Sequence, residues 1–120
     1  MKVNSPRKGL GALGLALGVI TTGLFSTSPA EARPYWCGNV RYNSPAAEKA
    51  ICDNPNLWNL DDVLNTAYDR ALYDSPAYRR EIRRTQKRWL RRRNRCRASV
   101  SCIRNSYNNR IYQLEGYYNN

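Results

Sequence analysis

A chain of 120 residues with a formal net charge of +11 is long enough for one domain and is strongly basic. It contains no histidine, which removes the usual acid–base catalyst near neutral pH. It also has no serine in a nucleophile-elbow motif and no phosphate-cradling glycine loop. We therefore predict a protein that is not an enzyme and that needs no cofactor and no metal.

The first 32 residues are typical of an export signal. A positively charged start is formed by Lys2, Arg7 and Lys8. An uncharged, largely apolar stretch follows over residues 9–25, and Ala30-Glu31-Ala32 offers the small residues that a signal peptidase reads, which places cleavage before Arg33. An uncleaved membrane anchor over residues 9–30 is the alternative, but five glycines in this stretch favour a signal that is cleaved off. We expect an exported product, periplasmic or secreted.

The exported part, residues 33–120, holds 17 of the 20 Lys and Arg residues and 8 of the 9 Asp and Glu residues. Its net charge of about +9 is larger than solubility alone requires. A domain this small buries a modest core, so we expect additional cross-links.

All four cysteines lie in the exported part, and their even number predicts two disulfides. Four cysteines allow three pairings. We favour Cys37–Cys52 and Cys96–Cys102, because each pair is close in sequence and flanks a predicted turn. A zinc site or a redox thiol pair is the alternative, and the lack of histidine and of a CxxC spacing argues against both.

Proline and glycine stand at the edges of four predicted helices, whereas the alternation typical of strands is absent. Ser44-Pro45 opens a first helix that runs to about Cys52, and Asn54-Pro55 opens the second. Ser75-Pro76 opens the third, and the fourth follows a loop at about 98–101 and ends near Gly116. The predicted apolar stripes of the last three helices comprise Leu57, Leu60, Leu64, Tyr68, Ala71 and Leu72; Tyr78, Ile82, Thr85, Trp89 and Cys96; and Ile103, Tyr107, Ile111 and Leu114. The fold class is therefore an all-α, small, disulfide-stapled antiparallel bundle of three to four helices.

The third helix and the loop after it carry an unusual density of arginine. Eleven arginines and Lys87 fall between residues 79 and 104. On a helical wheel most of them point away from Trp89, and many repeat at four-residue spacing, where like charges destabilise a helix. An ordinary charged face is simply solvated, but this density favours an anionic partner. The candidate binding residues are Arg84, Arg88, Arg91 and Arg95.

Anionic cell-envelope polymers or lipids fit an exported basic helix better than nucleic acid does. We expect no specific nucleic-acid binding, although non-specific binding follows from the charge. Lipid insertion needs an apolar opposite face, which the core uses here. The sequence leaves the oligomeric state open.

Several other residues have a structural and a functional interpretation. Trp89 lies on the apolar stripe and is predicted to be core, Trp36 is predicted to pack on the neighbouring disulfide, and Trp58 is placed at a surface edge where a contact role stays open. The carboxylates of the first two helices are interpreted as caps and as partners for the arginine face, with Asp61 and Asp62 favoured by the helix dipole. Gln86 and Asn94 are expected to cap or bridge helices.

Three blocks along the chain carry a family resemblance. The first is Glu48 to Pro55, followed by Leu57, Leu60-Asp61 and Tyr68. The second is Gln86 to Leu90 followed by Arg93 to Cys96. The third comprises Cys102-Ile103, Tyr107, Arg110-Ile111 and Leu114. Together they resemble the N-terminal-like domain of the lysozyme inhibitor LprI family, over roughly residues 36–114.

The resemblance implies a helical domain with paired cysteines and, for the family's named member, inhibition of lysozyme by occlusion. The arginine load departs from the family pattern, and no motif residue is identified as inhibitory. Fold carries over more securely than function. The two functional hypotheses are therefore occlusion of a lysozyme and binding of an anionic envelope polymer or lipid through the arginine-rich helix.

Overall fold

The computed structural model describes residues 32–120, so the export-signal prediction lies almost entirely outside the described residues. Within them, four α-helices follow one another: α1 (Ala46–Asp53), α2 (Pro55–Asp74), α3 (Arg79–Asn94) and α4 (Val100–Glu115). Two short 3-10 turns, Tyr35–Asn39 and Pro76–Tyr78, precede α1 and α3. Residues 32–120 contain no strand, and the predicted all-α class is confirmed.

The three long helices run up, down and up. The end of α2 meets the segment after α4, where the Ser75 hydroxyl donates to the carbonyl of Tyr117 at 2.6 Å. The end of α3 instead meets the first half of α4, where the Trp89 indole donates to the Ser106 carbonyl at 3.0 Å. Consecutive long helices are therefore antiparallel, as predicted, while α2 and α4 run in the same direction.

The core lies where the four helices meet. Its fully buried side chains include Ile51, Leu57, Ile82, Ile103, Tyr107 and Leu114. Trp89 is also buried and packs edge-on against Tyr107, with ring centroids 5.2 Å apart. The prediction that Trp89 is a core residue is confirmed. Removing such contacts from water is the main source of stability in a domain of this size.

Both predicted disulfides are present. Cys37–Cys52 ties the first 3-10 turn to the end of α1, and Cys96–Cys102 closes the connection between α3 and α4. In the chain-entropy model these loops stabilise the fold by about 3 and about 2 kcal/mol, respectively. Among residues 32–120 no cysteine is left free.

The three serine- or asparagine-proline signals lie where helical structure begins, at Ala46, Pro55 and the 3-10 turn from Pro76, but only one of the three polar residues caps its helix with its side chain. Asn54 caps α2, since its side chain accepts from the amide of Asn56. Ser44 does not cap α1, because its hydroxyl accepts from the Arg41 amide in the preceding turn. Ser75 does not open α3, which begins only at Arg79, because its side chain is drawn across the bundle to Tyr117.

The apolar stripe of α3 is shorter than predicted. Tyr78 precedes the helix and is exposed, and Cys96 follows it. The buried positions of the helix are Ile82, Trp89 and Arg93. In the part of the chain that the structure describes, no helix combines the length and the apolarity needed to cross a membrane.

Candidate binding surfaces

The solvent side of α3 forms one continuous cationic surface. Five side chains line a shallow depression of about 420 Å³ there: Arg80, Arg83, Arg84, Lys87 and Arg91. All five are exposed. We call these five residues the outer face.

The outer face has no acidic partner in the part of the chain that the structure describes. Among residues 32–120, the ion pairs within 4.0 Å are Arg70–Asp74 and Arg93–Glu48, and neither includes an outer-face residue. Glu81, the one acidic residue of α3, accepts a hydrogen bond from the Tyr117 hydroxyl at 2.8 Å. Of the predicted pairs between carboxylates of α1 and α2 and the arginines of α3, Glu48–Arg93 is present, but it does not involve the outer face. Within the described residues, the charge of the outer face is therefore not compensated by an ion pair.

The four predicted binding arginines do not form one group. Arg84 and Arg91 lie in the outer face. Arg88 lines a different concavity, beside Arg110 and Tyr117, and Arg95 follows the last residue of α3. The structure adds three residues that the sequence analysis did not single out: Arg80, Arg83 and Lys87. A helical wheel restricted to one narrow sector identifies them, because the side chains of all five outer-face residues leave the helix within about a third of a turn of one another.

Arg93 points the opposite way and is buried. Its Nη1 donates to the Tyr107 hydroxyl at 3.2 Å, and its guanidinium lies 5.5 Å from the ring centroid of Trp89 and 5.7 Å from that of Trp36. The Glu48 carboxylate is 3.8 Å from Nη2. Aromatic rings and a nearby carboxylate make burial of this cation tolerable.

Asp61 is the acceptor at the centre of this cluster. It receives hydrogen bonds from the Tyr107 hydroxyl at 2.8 Å and from the Trp36 indole and the Asn65 amide, each at 3.2 Å. Its side chain lies in the interior and not at the start of α2, so the helix-dipole interpretation of Asp61 is wrong. Burial, reinforced by the Asp61 carboxylate, raises the pKa of Tyr107 well above its usual range. Tyr107 is therefore a neutral donor to Asp61.

Arg110 is a second buried arginine and joins α4 to α3. Its side chain donates to Gln86 Oε1 at 2.8 Å, to the Thr85 hydroxyl at 3.1 Å and to the Ile82 carbonyl at 3.3 Å. Burial lowers the pKa of Arg110, because the charged form loses hydration. Gln86 thus bridges two helices, one of the two roles expected for it, while Asn94 accepts from Arg93 within α3.

The remaining tryptophans both hold local structure. The Trp58 indole donates to the carbonyl of Ile51 at 2.9 Å, which satisfies a carbonyl at the end of α1. Trp58 is half-buried, in keeping with its predicted place at an edge. Trp36 contacts Asp61 and Arg93, two contacts that its position beside Cys37 did not predict.

Across residues 32–120 no group of three or more histidine, cysteine, aspartate or glutamate side chains is placed to hold a metal ion. Comparisons with protein-family models, with curated proteins and with solved structures found no match. The depression of the outer face is lined by cationic side chains alone, which distinguishes it from the concavity beside Arg88 and Tyr117.

Proposed function

We propose that this protein is an exported binding protein that holds an anionic polymer of the cell envelope against the outer face of α3. The observation that carries the proposal is the set of five exposed cations with no acidic partner in the described chain. Arg80–Arg84, Arg84–Arg88 and Lys87–Arg91 are like-charge pairs at four-residue spacing, which weaken an isolated helix. A polyanion removes this repulsion when it binds.

A polymer suits the outer face better than a bilayer does. Insertion into a membrane needs a broad apolar surface beside the charges, and the apolar side of α3 is buried in the core. Leu90 is the large apolar side chain of α3 that is exposed, and only 37% of it is accessible. Arginine forks match phosphate and carboxylate groups bidentately, so either anion suits the face.

The test is a titration of purified residues 33–120 with inorganic polyphosphate over a salt series. The outer-face variant carries Arg80→Gln, Arg84→Gln, Lys87→Gln and Arg91→Gln. The control variant carries Arg41→Gln, Arg70→Gln, Arg97→Gln and Arg104→Gln, which removes the same charge from exposed sites elsewhere. Because counterion release scales with the anion contacts made, affinity of the native protein should fall steeply with salt.

We expect the outer-face variant to bind at least ten-fold more weakly and to show a shallower salt dependence, while the control loses about two-fold. Equal losses in the two variants would contradict the proposal, because net charge alone would then explain binding. Vesicles of phosphatidylglycerol are the lipid probe. Tighter binding to vesicles than to polyphosphate would mean that the ligand of the outer face is a membrane surface and not a polymer.

A second candidate function is occlusion of a lysozyme, the function implied by the resemblance to the LprI family. The supporting observation is again the uncompensated outer face, since a lysozyme cleft holds two catalytic carboxylates that an inserted arginine can pair with. Animal-type lysozymes are themselves cationic, so long-range repulsion should slow association.

Lysozyme activity measured with and without the oxidised protein over a salt series tests this candidate. Stoichiometric inhibition that is lost in the outer-face variant and does not weaken with salt would support it. Inhibition that weakens steeply with salt would contradict the picture of two opposed cationic proteins, and full lysozyme activity at micromolar protein would remove the candidate.

A further inference from the structure

A concavity of about 390 Å³ opens between the first 3-10 turn, α1, α2 and α3. Its wall combines the Trp36 ring with polar side chains from three helices, Glu48, Asn65 and Gln86, and with apolar Leu90. The volume is sufficient for one or two sugar rings but small for a folded partner.

Three of these polar side chains keep free hydrogen-bonding capacity. Gln86 uses only Oε1, to accept from Arg110, and Asn65 uses only its amide nitrogen, to donate to Asp61. Within residues 32–120, Gln86 Nε2, Asn65 Oδ1 and the Glu48 carboxylate make no hydrogen bond. The concavity therefore presents one amide donor and two acceptors whose own orientation is fixed by the contacts behind them.

Trp36 adds a preformed aromatic surface. Its indole is held by the bond to Asp61, and the Cys37–Cys52 disulfide fixes the turn that carries it. The ring is half-buried, so part of it lines the concavity. A flat ring beside planar amide and carboxylate groups complements a pyranose, whose C–H face is apolar and whose edge carries hydroxyls.

We infer that this concavity, lined by Trp36, Glu48, Asn65, Gln86 and Leu90, is a subsite for one neutral pyranose ring of a glycan. The inference rests on the proposed function for the polymer, because it makes that polymer a glycan with anionic substituents. Gln86 and Leu90 are followed directly in α3 by Lys87 and Arg91 of the outer face. One chain can therefore place a sugar in the subsite and its anionic groups on the outer face.

The experiment is an NMR titration of ¹⁵N-labelled oxidised protein with two uncharged probes, triacetylchitotriose and maltotriose. The chain has three tryptophans, and each gives one indole N–H resonance. Trp58 does not line the concavity and its indole donates to the carbonyl of Ile51, so it serves as the internal control, whereas the ring of Trp89 forms part of the wall. We expect the Trp36 resonance to move on saturation with a Kd on the order of 1 mM, while that of Trp58 stays in place.

Two pairs of variants test where the sugar binds. Asn65→Phe fills the concavity and should abolish the shift of Trp36, whereas Asn59→Phe, an exposed position of the same helix, should leave it intact. Glu48→Ala removes an acceptor and should weaken binding about ten-fold, whereas Glu48→Gln keeps an acceptor and should weaken it two- to three-fold. An unmoved resonance of Trp58 and an unchanged circular dichroism spectrum in each free variant confirm that the fold is kept.

A shift of the Trp36 resonance with one probe or with both supports the subsite. Tighter binding of triacetylchitotriose than of maltotriose would show that the site recognises the acetamido group. The inference is overturned if neither sugar moves Trp36 at about 20 mM, or if Asn65→Phe binds as well as Asn59→Phe. Polyphosphate binding that survives such a failure leaves the proposed function standing. If sugar binds but the outer-face and control variants have equal affinity for polyphosphate, the subsite stands and the outer face is not the site that binds the polyanion.

Discussion

The two sides of α3 use arginine in opposite ways. On the outer face, arginines are exposed and make no ion pair within 4.0 Å with a carboxylate of residues 32–120. On the inner side, Arg93 and the facing Arg110 of α4 are buried and hydrogen-bonded to Tyr107, Gln86 and Thr85. A buried charge is retained only when nearly every donor has a partner, so the inner arginines belong to the fold. The outer arginines contribute nothing comparable to it and are available to a ligand.

Substituting Asp61 should give the largest effect on the inner side. Asp61→Ala leaves the indole of Trp36 and the hydroxyl of Tyr107 without their acceptor. Unsatisfied buried donors cost about 1–3 kcal/mol each, so we expect a loss of about 3–5 kcal/mol in urea unfolding followed by circular dichroism. The exposed neighbour is the control, and Asp62→Ala should change stability by less than about 0.5 kcal/mol. Equal losses at both positions would break the distinction between the two sides.

The stability that buried Tyr107 gives to the inner side of α3 should decline at alkaline pH. Because burial raises the folded-state pKa of Tyr107 above the ordinary value of 10.0, the folded protein keeps a proton that the unfolded chain releases. The contribution of protonated Tyr107 to the free energy of unfolding is therefore complete below pH 10 and declines as the pH rises above 10. Tyr107→Phe should cost about 1–3 kcal/mol at neutral pH, and its difference from the native protein should narrow at higher pH. A constant difference across pH 7–11 would show that Tyr107 does not carry this dependence.

Neutralising the outer face should have the smallest effect on stability. The four-glutamine outer-face variant removes like-charge repulsion and breaks no hydrogen bond within the chain, so we expect unchanged or slightly raised stability, by a few tenths of a kcal/mol. The midpoint of urea unfolding at low salt measures this. A drop of more than about 1 kcal/mol would mean that the outer arginines hold the fold, contrary to their assignment to a ligand.

Helical spacing, proline positions and cysteine count predicted the fold class, four helices and both disulfides. The same periodicity could not predict which polar residues lie inside, because Asp61, Arg93 and Arg110 share helix faces with apolar residues and need partners from other helices. Asp61 and Tyr107 are 46 positions apart, and no local pattern links them. Helical periodicity predicts a cationic helix, but the arginines occupy so much of its circumference that the pattern alone does not separate Arg88 from the outer face.

NMR of the arginine side-chain Nε–Hε groups during a polyphosphate titration compares the two sides of α3 in one sample. We expect the resonances of Arg80, Arg84 and Arg91 to shift first, at low salt and in proportion to bound polymer. Those of Arg93 and Arg110 should stay in place, because their hydrogen bonds within the fold are not exchanged for the ligand. Shifts spread evenly over all exposed arginines, or shifts of the two buried ones, would contradict the division of α3 into a binding side and a structural side.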